Sequence, residues 1–188
     1  MLKRIIEACE DDLSMSETRL HLRPATPDDV PTILGFIREL AEYERDLDAV
    51  VATEADLLRD GWGEPARFTA LIAEYDGVAA GFALYFTTYS TWRGHYGIWL
   101  EDLYVTPALR GHGIGKALLA RLARIAVDEG CPRLEWDVLE WNEPAIAVYR
   151  HLGAKTMRDW RIMRLSGEPL LALAAQDAQG VNRDKNVF

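Results

Sequence analysis

Cysteine is scarce in this chain. Only Cys9 and Cys131 occur in 188 residues, far apart, and neither belongs to a Cys-x-x-Cys pair, so the sequence offers no thiol framework for zinc or redox chemistry. Histidine is equally thin. His21, His95, His112 and His151 show no His-x-x-x-His or His-Glu-x-x-His spacing, so one helical face cannot present two of them, and no metal is expected. Long apolar runs are missing as well. No stretch approaches the ~18 uncharged apolar residues of a membrane helix, and charges interrupt residues 1–12, where a secretory signal needs a continuous apolar region. A cytoplasmic protein without membrane attachment is expected. Basic residues are outnumbered, 21 Lys and Arg against 30 Asp and Glu, for a formal net charge of −9. Binding a phosphate backbone calls for a local excess of Lys and Arg, so no nucleic-acid partner is expected; a cationic small molecule is compatible with this charge.

What remains is 49% hydrophobic, enough apolar material for one well-buried domain in a chain of this length. Composition shifts separate a compact domain over 20–174 from an N-terminal extension, 1–19, and a polar tail, 175–188, containing Gly180. Within the domain, Leu20-His21-Leu22-Arg23 alternates like a strand. Thr26-Pro27-Asp28-Asp29 then opens a helix whose apolar positions Val30, Ile33, Leu34, Ile37, Leu40 and Ala41 share one face. Thr53-Glu54-Ala55-Asp56 starts a second helix, stopped by Gly61. Residues 68–74 and 78–88 are rich in strand formers, and Asp76-Gly77 between them is a hairpin turn signal. A strand over 96–105, a helix over 113–127 ending near Gly130, and a strand over 133–139 follow. A short helix opened by Asn142-Glu143-Pro144 and a last strand over 160–165 complete the order. The expected fold is a single α/β domain, a central mixed, mostly antiparallel twisted sheet flanked by helices.

The segment Arg110-Gly111-His112-Gly113-Ile114-Gly115-Lys116 lies between a strand and an apolar helix, where glycines let backbone approach a ligand closely. The first N–H groups of that helix, its dipole, Arg110 and Lys116 together suit a pyrophosphate. Spacing rules out two nucleotide motifs. A Walker A loop needs four residues between its glycine and Gly-Lys, followed by Ser or Thr; here Gly111 and Gly115 enclose three, and Ala117 follows Lys116. The dinucleotide fingerprint needs Gly-x-Gly-x-x-Gly near the start of a βαβ unit, whereas Gly-x-Gly-x-Gly stands here in mid-chain.

The run Arg110-x-x-Gly113-x-Gly115 between strand and helix resembles the hallmark of the GNAT superfamily of acyl-CoA-dependent N-acetyltransferases. Further segments resemble its spermidine/spermine, or diamine, acetyltransferase branch: Arg23-Pro24-Ala25-Thr26, 39–44, 56–64, Leu100-Glu101-Asp102-Leu103-Tyr104-Val105 and 140–144, with Tyr149 and Gly153-Ala154. The resemblance implies acetyl-CoA as co-substrate. It would be contacted by Leu103, Tyr104 and Val105, by Arg110, Gly111, His112, Gly113, Ile114, Gly115 and Lys116, and by Asn142, Glu143, Pro144 and Ala145. It implies Tyr149 as general acid, with Tyr43, Glu44 and Glu101 at the amine and Glu101 helping to remove its proton through water. A homodimer is implied as well. The chemistry suits these groups. An alkylammonium has a pKa of about 10.4 and cannot attack a thioester until deprotonated, which a carboxylate can assist; a phenol can protonate the departing thiolate. Direct attack of a positioned amine needs neither cysteine as nucleophile.

Structural readings stand beside these. Tyr149 can be an amphipathic-helix residue, Glu44 an ordinary helix-end charge, and Trp92 a core, dimer or cation-cage residue. Glu101 and Asp102 alternate across a regular strand, so only one of them is expected to face a given cleft, with Glu101 the candidate. The chain departs from the polyamine pattern at Ser90-Thr91-Trp92, where Asp-Pro-Trp is expected. Glu135 and Asp137, on one face of their strand and flanking Trp136, are candidates to replace the missing acid in binding a diamine or lysine-like amine. Acetyl transfer to a small-molecule amine is the leading expectation; a protein amino-group acetyltransferase and a non-catalytic CoA-binding sensor are the alternatives.

Overall fold

The computed structural model describes residues 19–178. They fall into two compact units, one running to Asp137 and the other starting at Val138. Cys9 and the expected N-terminal extension, apart from Arg19, lie outside the described residues.

The first unit is built on a five-stranded sheet in the order β1 (Leu20–Pro24), β2 (Thr69–Tyr75), β3 (Val78–Ser90), β4 (His95–Val105) and β5 (Leu134–Trp136). Neighbours among β1 to β4 are antiparallel and β5 runs parallel to β4, which is the mixed, mostly antiparallel sheet expected. The Asp76-Gly77 signal becomes a two-residue hairpin with both residues at positive φ, 52° and 76°, joining Tyr75 to its partner Val78.

Helices α1 (Val30–Tyr43) and α2 (Glu54–Trp62) cover one face. A 3-10 turn over Pro27–Asp29 leads into α1. The start of α2 is a reciprocal cap: Thr53 Oγ1 accepts from Asp56 N–H at 3.2 Å, and Asp56 Oδ2 accepts from Thr53 N–H at 3.0 Å. Val30, Ile33, Leu34, Phe36 and Leu57 pack against Ala70, Ile72, Phe82, Leu84 and Tyr104, and Phe36 stacks on Phe82 at 5.7 Å between ring centroids. Helix α3 (Ile114–Asp128) lies on the opposite face, where Ala126 and Ile125 meet Ile98, Tyr85, Leu134 and the buried thiol of Cys131.

Two strand expectations need correction. The strand expected over 133–139 is only three residues long, so Asp137 lies beyond it and shares no strand face with Glu135. Its ladder with β4 stops at Leu100↔Trp136, the last pair before β4 changes register. The strand expected over 160–165 does not form. Residues 161–166 have no regular structure, because an alternating apolar pattern yields a strand only beside a partner, and the second unit has no strand among its described residues. That unit holds α4 (Glu143–His151) and α5 (Gly167–Ala178), the latter continuing helix past Ala174. Among the described residues no helix is long and apolar enough to cross a membrane, and no group of His, Cys, Asp and Glu is arranged to hold a metal ion.

Candidate functional site

The feature that organises the site is a one-residue insertion in β4. Leu84 pairs with Asp102 and Tyr85 with Leu100, so Glu101 has no partner on β3 and forms a β-bulge. Its effect is visible in what the flanking residues touch. Ile98 packs on the α3 face and Tyr104 on the α1/α2 face, although residues six apart on a regular strand point the same way. The expectation that Glu101 and Asp102 face opposite sides is therefore overturned. Glu101 lines a cavity with Leu57, Leu84 and Phe86 on the α1/α2 side, and Asp102, two residues from Tyr104, points to that side too.

The two carboxylates differ in setting. Glu101 is exposed, and its Oε2 accepts a hydrogen bond from Trp99 Nε1–H at 2.9 Å. Asp102 is half-buried; loss of water around it, then the charges of Glu101 and Glu44, push its carboxyl up to about 6. Glu44 ends α1, and partial burial raises its carboxyl as well. Three acids thus converge where β4 bulges, and Asp102, which the sequence reading set aside, is the one whose proton affinity lies near neutrality. No local signal marks this, because the bulge depends on pairing with β3.

Beyond the bulge, β4 runs free of β5 along Leu103–Val105, since β5 pairs only with Ile98–Leu100. Tyr104 is buried, and its hydroxyl donates to Glu39 Oε2 at 2.6 Å; burial, then this bond and the Glu39 charge, raise the phenol to about 12. Glu39 was absent from the sequence candidates because its partner lies 65 residues away. The glycine turn follows. Gly111 and Gly113 both have positive φ, 85° and 80°, and Gly113 is the residue on which α3 starts. The first bond of the α3 ladder runs from Ala117 N–H to Gly113 O at 2.9 Å, and no side chain caps this end. The N–H groups of Gly113, Ile114, Gly115 and Lys116 precede that ladder and form an anion-attracting helix start. A Cβ on Gly115 would meet only Val105 Cγ2, at 3.7 Å, so the approach is open.

Arg110 links the turn to the acid cluster. Its Nε–H donates to Val105 O at 3.1 Å, and its guanidinium lies over the Tyr43 ring, 4.8 Å from the centroid. His112 meets Tyr75 edge-on at 5.1 Å, Ile114 is buried in the core, and Lys116 is exposed. These residues fit a CoA pyrophosphate: open backbone N–H groups at an uncapped helix start, glycines holding a conformation side chains resist, and an arginine at the rim.

Other candidates stand elsewhere. Trp92 is 89% exposed in the turn joining β3 to β4. Five ladder positions separate the bulge from Ser90, about 17 Å at the usual strand rise, so Trp92 does not join the carboxylates. Ser90 is buried at the same turn, its Oγ accepting Arg93 N–H at 3.3 Å, which suits a small hydroxyl residue there. Glu135 Oε2 lies 2.7 Å from Arg133 Nε in a partly exposed ion pair. Trp136 is half-buried at the end of β5, and Asp137 is exposed beyond it. In the second unit, Asn142 Oδ1 accepts Ala145 N–H at 3.4 Å and starts α4, with Glu143 and Pro144 in its first turn; Tyr149 sits half-buried on the same helix.

Residues 34–154 match the Acetyltransferase (GNAT) family. The chain is 39% identical over 166 residues to the thialysine N-epsilon-acetyltransferase of Bos taurus, covering 82% of this chain and 97% of that protein. It is 40% identical over 166 residues to the Homo sapiens spermidine/spermine N(1)-acetyltransferase-like protein 1, covering 83% of this chain and 24% of that one. Among solved structures, an integron cassette protein from the mobile metagenome of V. cholerae superposes with a TM-score of 0.71 at 27% identity, over 84% of this chain and 98% of its own.

Proposed function

Because the chain belongs to the GNAT family of acetyltransferases, we propose that it transfers acetyl from acetyl-CoA to the primary amine of a small molecule, as the names of its thialysine and polyamine relatives suggest. The observation that carries this reading is the bulge at Glu101, which sets two carboxylates on one side of β4 just before the glycine turn. Acetyl-CoA supplies an activated acetyl carbon: the amine nitrogen bonds to it as the carbon–sulfur bond breaks, the nitrogen loses a proton and the sulfur gains one.

The residues divide that work. Glu101, exposed and held by Trp99, attracts the ammonium and takes up its proton through water. Asp102, with a proton affinity near neutrality, is suited to receive that proton in turn. Arg110, Lys116 and the N–H groups of Gly113–Lys116 are suited to hold the pyrophosphate, and the unpaired edge of Leu103–Val105 to align the chain leading to the thioester. Tyr149 is the proposed proton donor to sulfur, with Asn142–Ala145 on the same helix assisting the cofactor. Tyr43 and Glu44 complete the amine side. One finer part of the proposal, a homodimer, rests on family resemblance, and a monomer in sedimentation at assay concentration would remove it; a cytoplasmic location rests on the sequence pattern alone.

Thiol release from acetyl-CoA with a panel of small amines tests the reading. Turnover with at least one primary amine is expected. Tight acetyl-CoA binding with no turnover of any amine would leave a binding module and overturn it.

A further inference from the structure

Beside Glu101, on the α1/α2 face of the sheet, lies a cavity of about 440 Å³. That is within the range of small-ligand sites. Leu57, Phe68, Leu84 and Phe86 give it apolar walls, with Leu57 and Leu84 part of the packed core. Four charged residues also line it: Asp56, Asp60, Arg67 and Glu101.

Their commitments differ. Asp56 is tied into the α2 cap and accepts from Arg59 Nη1 at 2.8 Å. Asp60 is gripped by the same guanidinium through two bonds, 3.0 Å and 2.7 Å. Arg59 therefore already answers the two α2 acids. Arg67 is different. Its backbone N–H donates to Asp60 O at 2.6 Å, but its guanidinium holds no hydrogen bond or ion pair among the described residues and reaches Asp60 only through space. The cavity is thus left with one answering charge of each sign, Glu101 and Arg67, and apolar walls besides.

This pattern discriminates between amines by their far ends. A diamine presenting one ammonium to Glu101 brings a second positive charge into a cavity that holds an unanswered guanidinium. An amino acid carries that second ammonium as well, but its carboxylate offsets the charge and meets a planar, permanently charged donor suited to grip it through two bonds, while its methylenes lie on the apolar walls. We infer that Arg67 is a specificity residue that receives the carboxylate of an aliphatic amino acid whose terminal amine is presented to Glu101. The assignment presupposes the acetyltransferase reading.

The test compares amines that differ only by that carboxylate: lysine against 1,5-diaminopentane, and ornithine against 1,4-diaminobutane, each with acetyl-CoA. With the wild-type chain, kcat/KM is expected to favour each amino acid over its diamine by about ten-fold or more. Arg67→Ala should abolish that preference, mainly by raising KM for the amino acid, with the diamine unchanged or improved, and Arg67→Lys should retain part of it. Arg67 is exposed, and the Ala variant keeps the backbone bond to Asp60; an unchanged melting temperature checks that the fold survives. A wild type indifferent to the carboxylate or preferring the diamine, or an Arg67→Ala variant that loses both activities by the same factor, overturns the assignment and leaves the acetyltransferase reading standing. Absence of thiol release with every amine overturns both.

Discussion

Replacing Asp102 by Asn should make the protein more stable at alkaline pH and leave it nearly unchanged in acid. Burial first, then Glu101 and Glu44, raise the Asp102 carboxyl from the usual 3.8 to about 6. Below the lower value both folded and unfolded chains hold the proton, and the residue costs the fold nothing. Between the two the unfolded chain releases its proton first, so stability falls as pH rises, and the loss levels off above 6. About 2 pH units at about 1.4 kcal/mol each give a ceiling of about 3 kcal/mol. Because Asp102 is half-buried rather than sealed, solvent screens part of that, and about 1–2 kcal/mol is the expected gain for Asp102→Asn at pH 8. Urea denaturation of both proteins at pH 4 and pH 8 measures it. A substitution that destabilises equally at both values would show that the carboxylate is not strained by its surroundings, and the case for Asp102 as a proton acceptor near neutrality would go with it.

Three further outcomes follow from the geometry. Gly113→Ala forces a side chain into a φ of 80° at the start of α3 and should cost about 1–2 kcal/mol in thermal denaturation, with weaker acetyl-CoA binding in titration calorimetry. Asp29, held at about 2 chiefly by its hydrogen bonds from Arg23, contributes stability that is present above about pH 4 and lost as pH falls through 2. Asp29→Asn should therefore destabilise by about 1–2 kcal/mol at pH 7, and the difference should shrink toward pH 2 in denaturant titrations. Tyr149→Phe should lower kcat by roughly 10²-fold with little change in KM for acetyl-CoA, and an undiminished kcat would remove it from the proton-donor role.

What the sequence made legible is what short-range chemistry dictates. Asp76-Gly77 carries its turn wherever it stands, because both residues tolerate positive φ. Thr53 and Asp56 close a cap across three residues, and Gly113 starts a helix for the same local reason. The misread elements depend on a partner strand. Residues 160–165 have the composition of a strand and no strand beside them in their unit, and the segment over 133–139 loses its ladder after Trp136. Within the site, the glycine turn was readable, but the direction of Asp102 was not: alternation is a property of unbroken pairing, and the break at Glu101 is defined only against Leu84 and Tyr85.

That break ties together features that would otherwise look independent. An inserted residue bends its strand, so β5 can follow β4 no further than Leu100, and the edge at Leu103–Val105 is left open beside the glycine turn. The same insertion turns Tyr104 toward Glu39 and α1 and sets Asp102 where loss of water first, and then the charges of Glu101 and Glu44, keep its proton on late. Two like charges forced together on one strand face would be a plain defect in a structural sheet. In the proposed reaction the repulsion falls on the groups assigned to accept a proton from an arriving ammonium, and a cation between them would relieve it. The like-charge part of the cost to the fold and the proposed attraction for an amine are then one electrostatic term read in two states, and a substitution that removes the first should weaken the second.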